Sequence, residues 1–228
     1  MAAQVTLISN AGLCIAAAGA VVYVDAFHGL ADEGGQAVPG DDRADLILVT
    51  HAHRDHFDAR RVADAAGRTG ATVVGPRSVI RRLRDRVPAD RLCEMEPPLA
   101  PAGECARSVC RQLPSARVTA LRTFHTRDHN SYLVETAGFR FFHDGDNEDT
   151  SRIDAAALGA LDVLLIGPWW GGGWVAFIET LAPRRYVLIH LDADERRRHA
   201  AGTFLPDLCD HVPDGLAVLA PGEMLCLD

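Results

Sequence analysis

Residues 46–56 read Leu46-Ile47-Leu48-Val49-Thr50-His51-Ala52-His53-Arg54-Asp55-His56. Four apolar residues without polar alternation predict a strand covered on both faces, as in a sheet held between other layers. Directly after it come three histidines and an aspartate within six positions. In an extended segment His51 and His53 point the same way and can share one cation, while Asp55 and His56, beyond a bend, can reach a second. Neutral imidazole and carboxylate are ligands that borderline divalent ions such as Zn²⁺ accept. The competing reading is a solvated polar loop with coincidental histidines. The density of donors behind a rigid strand end, where a fold can aim them, weighs against it.

Working outward, residues 5–25 alternate short apolar stretches with Asn10, Gly12 and Gly19, which predicts antiparallel strands joined by tight turns. Residues 29–43 hold Gly, Pro and acids without periodicity and are expected to form a surface loop, a candidate lid. Beyond His56, a helix is predicted from Asp58 to Ala66 with Gly67 ending it, then a strand over 71–74. Ser78 is the expected N-cap of a second helix carrying Val79, Ile80, Leu83 and Val87, stopped by Pro88. Residues 88–117, rich in Pro and Gly, predict a meander around short strands. Further strands are predicted at 117–124, 131–135 and 139–143, the last two joined at Gly138, then at 162–166 and at 186–189, leading into His190. Between them lie a turn bearing Trp169, Trp170 and Trp174 and a helix over 176–181. Strands 216–219 and 224–227 are expected as a closing hairpin turned at Pro221-Gly222. Sheets toward both ends with helices between them suggest two sheets packed face to face with helices outside.

The spacing His51-x-His53-x-Asp55-His56 resembles the H-x-H-x-D-H signature of the metallo-β-lactamase superfamily of hydrolases. Val21-Val22-Tyr23-Val24-Asp25 is similar to the family's early strand ending in Asp, and Phe142-His143-Asp144-Gly145-Asp146 to its strand ending in Gly-Asp. Tyr186 to His190 resembles the late strand that delivers a last histidine. The resemblance implies an α/β fold, a four-layer αββα sandwich of two mixed sheets with helices on both outer faces, as a single domain over residues 1–228. It places a dinuclear site at the shared edge of the sheets.

By the same resemblance one ion falls to His51, His53 and a histidine after the strand at 118–124, and the second to Asp55, His56 and His190, with Asp146 bridging. For the third ligand of the first ion His125 is preferred, since it follows its strand directly, and His129 is the competitor. Asp144 is the weaker candidate for the bridge. Asp25 would hold His ligands by hydrogen bonds. Asn147 stands where the family often has Thr. The implied cofactors are two divalent ions, Zn²⁺ first with Mn²⁺ or Fe²⁺ as alternatives, which activate a shared water for attack. Asp55 would orient that water and His129, or His143, would donate a proton to the leaving group, with a purely structural role as the alternative for both histidines. A di-iron oxidoreductase branch has Glu where this chain has His53, so hydrolysis is favoured.

The compact length is most similar to a small cytoplasmic branch that includes ascorbate-6-phosphate lactonase-like hydrolases, which implies a small ester, lactone or phosphoester as substrate. The chain has 228 residues and a formal net charge of −8, which speaks against general affinity for nucleic-acid backbones. An RNA-processing metallonuclease and a non-catalytic metal-binding protein are the alternatives. The three tryptophans of the 169–174 turn could form an aromatic wall over the ions, or pack in the core. The apolar run from Ala11 to Val24 is interrupted by Gly19 and lacks a preceding cation, and no segment has the length of a membrane span. The expected location is the cytoplasm and the expected partner a small molecule. Six cysteines without a C-x-x-C pair are read as reduced structural thiols.

Overall fold

The computed structural model describes residues 3–29, 43–169 and 171–227. It opens with the meander expected from residues 5–25: β1 (Ala3–Leu7), β2 (Leu13–Ala17) and β3 (Ala20–Val24), paired antiparallel in turn. β4 (Leu46–Leu48) joins β3 in parallel, and α1 (Ala59–Thr69) carries the chain to β5 (Thr72–Gly75). α2 (Arg77–Leu83) leads to β6 (Leu92–Glu94), again parallel to its neighbour. β7 (Ser108–Gln112), β8 (Arg117–Arg122), β9 (Asn130–Thr136) and β10 (Phe139–His143) form a second antiparallel meander. After α3 (Ala155–Leu158), β11 (Val163–Ile166), α4 (Trp174–Leu181) and β12 (Arg185–Leu188) extend it in parallel. α5 (Ala193–Ala200), β13 (Leu216–Ala217) and β14 (Met224–Leu227) complete the described chain.

Two seven-stranded mixed sheets result, ordered β14-β1-β2-β3-β4-β5-β6 and β13-β12-β11-β10-β9-β8-β7. Strand alternation divides their side chains among three apolar layers. Leu46 and Leu48 face the space between the sheets, meeting Tyr132, Phe141 and Leu165, while Ile47 faces outward under α1 and α2 with Val62, Val79 and Leu83. On the far side α4 lays Trp174, Phe177 and Ile178 on Phe142, Leu164 and Tyr186. This is the expected αββα sandwich, and it accounts for the unalternating run at 46–49, which is buried on both faces.

Four local expectations need correction. The last two strands make no hairpin: β13 pairs with β12 in the second sheet and β14 with β1 in the first, so the turn at Pro221-Gly222 lies on a crossing between sheets. α1 runs through Gly67 and ends at Gly70, whose φ of 79° supplies the left-handed cap that Gly67 was expected to provide. α2 begins after Pro76, not at a Ser78 cap, and stops at Leu83 before Val87. α5 was not foreseen, because none of its residues is buried and no apolar period marks it; its signal is the Asp192/Glu195 capping box. The candidate lid at 29–43 falls almost wholly outside the described residues. Among the described residues, no helix is long and apolar enough to cross a membrane.

Candidate metal centre

β3, β4, β8, β10 and β12 deliver the polar residues of the site from their C-terminal ends, where the sheets share an edge. β4 runs into Thr50 and His51, β10 into Asp144-Gly145-Asp146, and β12 into Ile189 and His190. His190 adopts φ 63° and Asp25, just past β3, φ 50°. Left-handed backbone at two non-glycine residues of one cluster is strain of a kind that concentrates at functional sites.

The donors gather in two groups with Asp146 in common: His51, His53, His125 and Asp146, and Asp55, His56, Asp146 and His190. Asp146 Oδ2 lies 3.1 Å from His56 Nε2 and 3.6 Å from the Nε2 atoms of His51, His125 and His190. Asp55 Oδ2 stands 3.6 Å from His56 Nε2 and 3.5 Å from His190 Nε2. These separations match the edge of a tetrahedron, roughly 3.3 Å, drawn by ligand atoms about 2.0 to 2.1 Å from a central ion. The Nε2 atoms of His51, His56 and His190 and Oδ1 of Asp146 are buried without a hydrogen-bond partner. Buried polar atoms are otherwise nearly always satisfied, so lone pairs converging this way mark a place for cations. His53 is exposed and His125, His190 and Asp55 are half-buried, so the cluster opens to solvent on that side.

A second set of contacts aims these ligands. Asp25 accepts the Thr50 backbone N–H at 2.8 Å, the Thr50 hydroxyl at 2.7 Å and His56 Nδ1–H at 2.8 Å. Because the Thr50 hydroxyl proton goes to Asp25, its oxygen receives Nδ1–H of His51 at 3.0 Å. Both imidazoles thereby turn Nε2 toward Asp146. Burial, with the nearby charge of His56, pushes His51 down to about 4, which keeps it a neutral ligand. Burial opposes charge on His56, but Asp25 and Asp146 outweigh it and raise its pKa: the pocket favours positive charge at that nitrogen, as a cation there would satisfy. Asp146 is disfavoured as an anion by burial, yet the surrounding histidines hold its carboxyl below the usual range.

The structure brings His51, His53, Asp55, His56, His125, Asp146 and His190 together. His129 is placed elsewhere. It is fully buried, its Nε2 accepts the Asp146 backbone N–H at 3.0 Å, and its Nδ1 stands 2.8 Å from the Thr123 hydroxyl, which continues to Ser131 and the Asp144 carbonyl. Both of its ring nitrogens are thus engaged within the protein, as the structural alternative for this histidine requires, and the ring holds the backbone under Asp146. His143 is likewise buried, between Gly145 N–H and the Ala11 carbonyl. Asp144 lies behind the cluster, bonded to Asn147 and Ser131, and burial raises its pKa well above the usual range.

Four contributors were not assigned from sequence in these roles. Thr50 relays Asp25 to His51. Asn147 accepts the Phe124 N–H at 3.0 Å and donates to Asp144, tying the turn that bears His125 to the Asp146 loop. Glu148 holds His125 Nδ1 at 2.6 Å. Gly145, at φ 63°, lets the chain pass so close to His129 that a methyl there would fall 2.5 Å from Nε2. A residue following the Gly-Asp pair is the one signal that could have suggested Asn147. Of the tryptophan turn, Trp169 packs its ring 5.0 Å from that of His190, Trp174 lies in the outer core, and Trp170 falls outside the described residues.

The sequence pattern described as "Beta-lactamase superfamily domain" matches residues 21–191. A "UPF0173 metal-dependent hydrolase" of Nitratidesulfovibrio vulgaris (strain Hildenborough) is 25% identical over 248 residues, which cover 100% of this chain and 97% of that protein. Among solved structures, Igni18, a novel metallo hydrolase from the hyperthermophilic archaeon Ignicoccus hospitalis, is similar with a TM-score of 0.69 and 16% identity, over 100% of this chain and 99% of that one. A new diphosphatase from the PhnP family is similar with a TM-score of 0.63 and 16% identity, over 100% of this chain and 98% of that one. At such identity these structures speak to the fold.

Proposed function

This chain belongs to the beta-lactamase superfamily and carries the metallo-β-lactamase fold, and on that premise we propose that it is a metal-dependent hydrolase of a small ester, lactone or phosphoester. The observation that carries the reading is Asp146 Oδ2 ringed by four imidazole nitrogens, three of them buried and without a hydrogen-bond partner. His51, His53 and His125 would hold one divalent ion, Asp55, His56 and His190 a second, and Asp146 both. Zn²⁺ suits this donor set best, with Mn²⁺ or Fe²⁺ as alternatives. When bound, two such ions supply Lewis-acid activation of water and polarisation of the oxygen under attack.

The protein's own groups then have distinct tasks. Asp25, through Thr50 and His56, fixes the direction of two imidazoles, and Glu148 does so for His125. Asp55 is half-buried, and the imidazoles of His190 and His56 beside it hold its carboxyl below the usual carboxylate range, so it can orient a water at the open side of the cluster. The Trp169 ring beside His190 walls one flank against bulk water.

A small molecule suits the site better than RNA, given a net charge of −8. That the similar structure from the PhnP family is a diphosphatase supports including phosphoesters in a panel with esters and lactones. Metal analysis of the purified protein should find about two equivalents of divalent ion per chain. At least one panel member should turn over, with activity removed by chelation, restored by metal, and lost in His51→Ala. A fully metal-loaded protein inert toward all three classes would sink the proposal.

A further inference from the structure

On the sheet edge that carries the metal centre lies a cavity of about 650 Å³. It forms where the chain leaves β5 and β6 and where the turn at 125–129 leaves β8. Its lining includes Arg77, Arg81, Arg122 and Arg127 against Glu96 and Asp128. An excess of two positive charges in one hollow is notable on a chain whose net charge is −8.

Its arginines divide into builders and bystanders. Arg122 is buried, and all of its guanidinium nitrogens are committed: Nε to the Pro97 carbonyl at 3.1 Å, Nη1 to the Arg127 carbonyl at 2.7 Å, and Nη2 to Glu96. It rivets the two walls together. Arg77 donates Nε to Glu94 and its backbone N–H to Glu96, so Glu96 is occupied from both sides. Arg81 and Arg127, by contrast, have no carboxylate partner among the described residues. Two unpaired guanidinium groups on walls held by a buried arginine make a cradle for an oxyanion, which guanidinium binds with paired N–H donors. The volume falls within the range of small-molecule sites.

Connections to the metal centre are short. Arg127 lies two residues from His125 and two from His129, and Arg82 of α2 reaches the Ala52 carbonyl between His51 and His53. We propose that this cavity seats a phosphate group carried by the substrate, away from the bond that is cleaved, with Arg81 and Arg127 as its ligands. The inference rests on the hydrolase reading and narrows its substrate class to phosphorylated small molecules.

The test compares the metal-loaded full chain with its Arg81→Gln/Arg127→Gln form on two matched aryl esters, one neutral and one bearing a distal phosphate. The parent should prefer the phosphorylated ester, and the double variant should lose roughly tenfold or more in kcat/KM on it while the neutral ester changes less than about twofold. Inorganic phosphate should compete with the phosphorylated ester alone. Equal losses on both esters, or none, overturn the proposal. Phosphate that alters turnover of the neutral ester through these arginines would also overturn it, by making the ligand a free regulator. Should neither ester turn over, the hydrolase reading is judged by the full panel of esters, lactones and phosphoesters, and calorimetry with inorganic phosphate judges the cavity. Affinity lost in the double variant but kept in His51→Ala sustains the site, and affinity unchanged in the double variant removes it.

Discussion

At the scale of single residues the site depends on side chains that never touch a substrate. Thr50 is the clearest case, since its hydroxyl lies between Asp25 and His51 and is fully buried. Thr50→Val keeps the shape but leaves Asp25 and His51 Nδ1 short of a partner. Metal affinity, read by chelator competition, should fall about 10- to 100-fold, as when an orienting partner of a ligand is removed elsewhere. The folded state should survive, at a cost of about 1–3 kcal/mol for the unsatisfied groups. Gly145→Ala acts on backbone instead. A methyl 2.5 Å from His129 Nε2, at φ 63°, must push either the ring or the Asp146 peptide aside. Thermal melting should show a destabilisation of about 1–3 kcal/mol from the strained backbone, and metal uptake should fall with it because Asp146 moves. A variant that melts lower yet binds metal normally would argue that Asp146 is positioned by other means.

At the scale of elements, the helices covering the sandwich are separable from the site they support. Asp58 caps α1 by accepting the N–H groups of Arg60 and Arg61, both at 2.9 Å. Asp58→Ala should cost about 1 kcal/mol, roughly 2–4 °C in melting temperature for a chain of this size, with metal content and turnover unchanged. The same separation explains what could be read in advance. His51, His53, Asp55 and His56 are contiguous with a buried strand, and a local motif suffices to find them. His125, Asp146 and His190 follow three strands distant in sequence, so their meeting is a property of topology, and the family resemblance, not periodicity, pointed to them. His125 does not even end its strand: β8 stops at Arg122, and the imidazole is held on the following turn by Glu148 and Asn147. Elements without an apolar stripe, such as α5, escaped notice, and the pairing of β13 and β14 did too, because short strands joined by Pro-Gly carry the signal of a hairpin whether or not they pair with each other.

At the scale of the whole molecule, the candidate centre joins the two sheets, with His51 and His56 from one and His125, Asp146 and His190 from the other. Ions bound there would act as a clasp between the halves of the sandwich, and a ligand bound only by the folded state stabilises it by mass action. Free metal at a hundred times its dissociation constant adds about 2.7 kcal/mol, on the order of 5–10 °C here. Calorimetry should show that shift on loading, lose it on chelation, and show little of it in His51→Ala. Equal melting temperatures with and without metal would mean that the centre does not bridge the sheets energetically. The crossing of the last strands is a second clasp at the opposite flank. β13 and β14 come at the end of the described chain, yet one borders β12 and the other β1. Until β13 has been made β12 keeps a bare border, and until β14 has been made β1 does, so a nascent chain that has not reached these strands shows an open edge of each sheet to its neighbours.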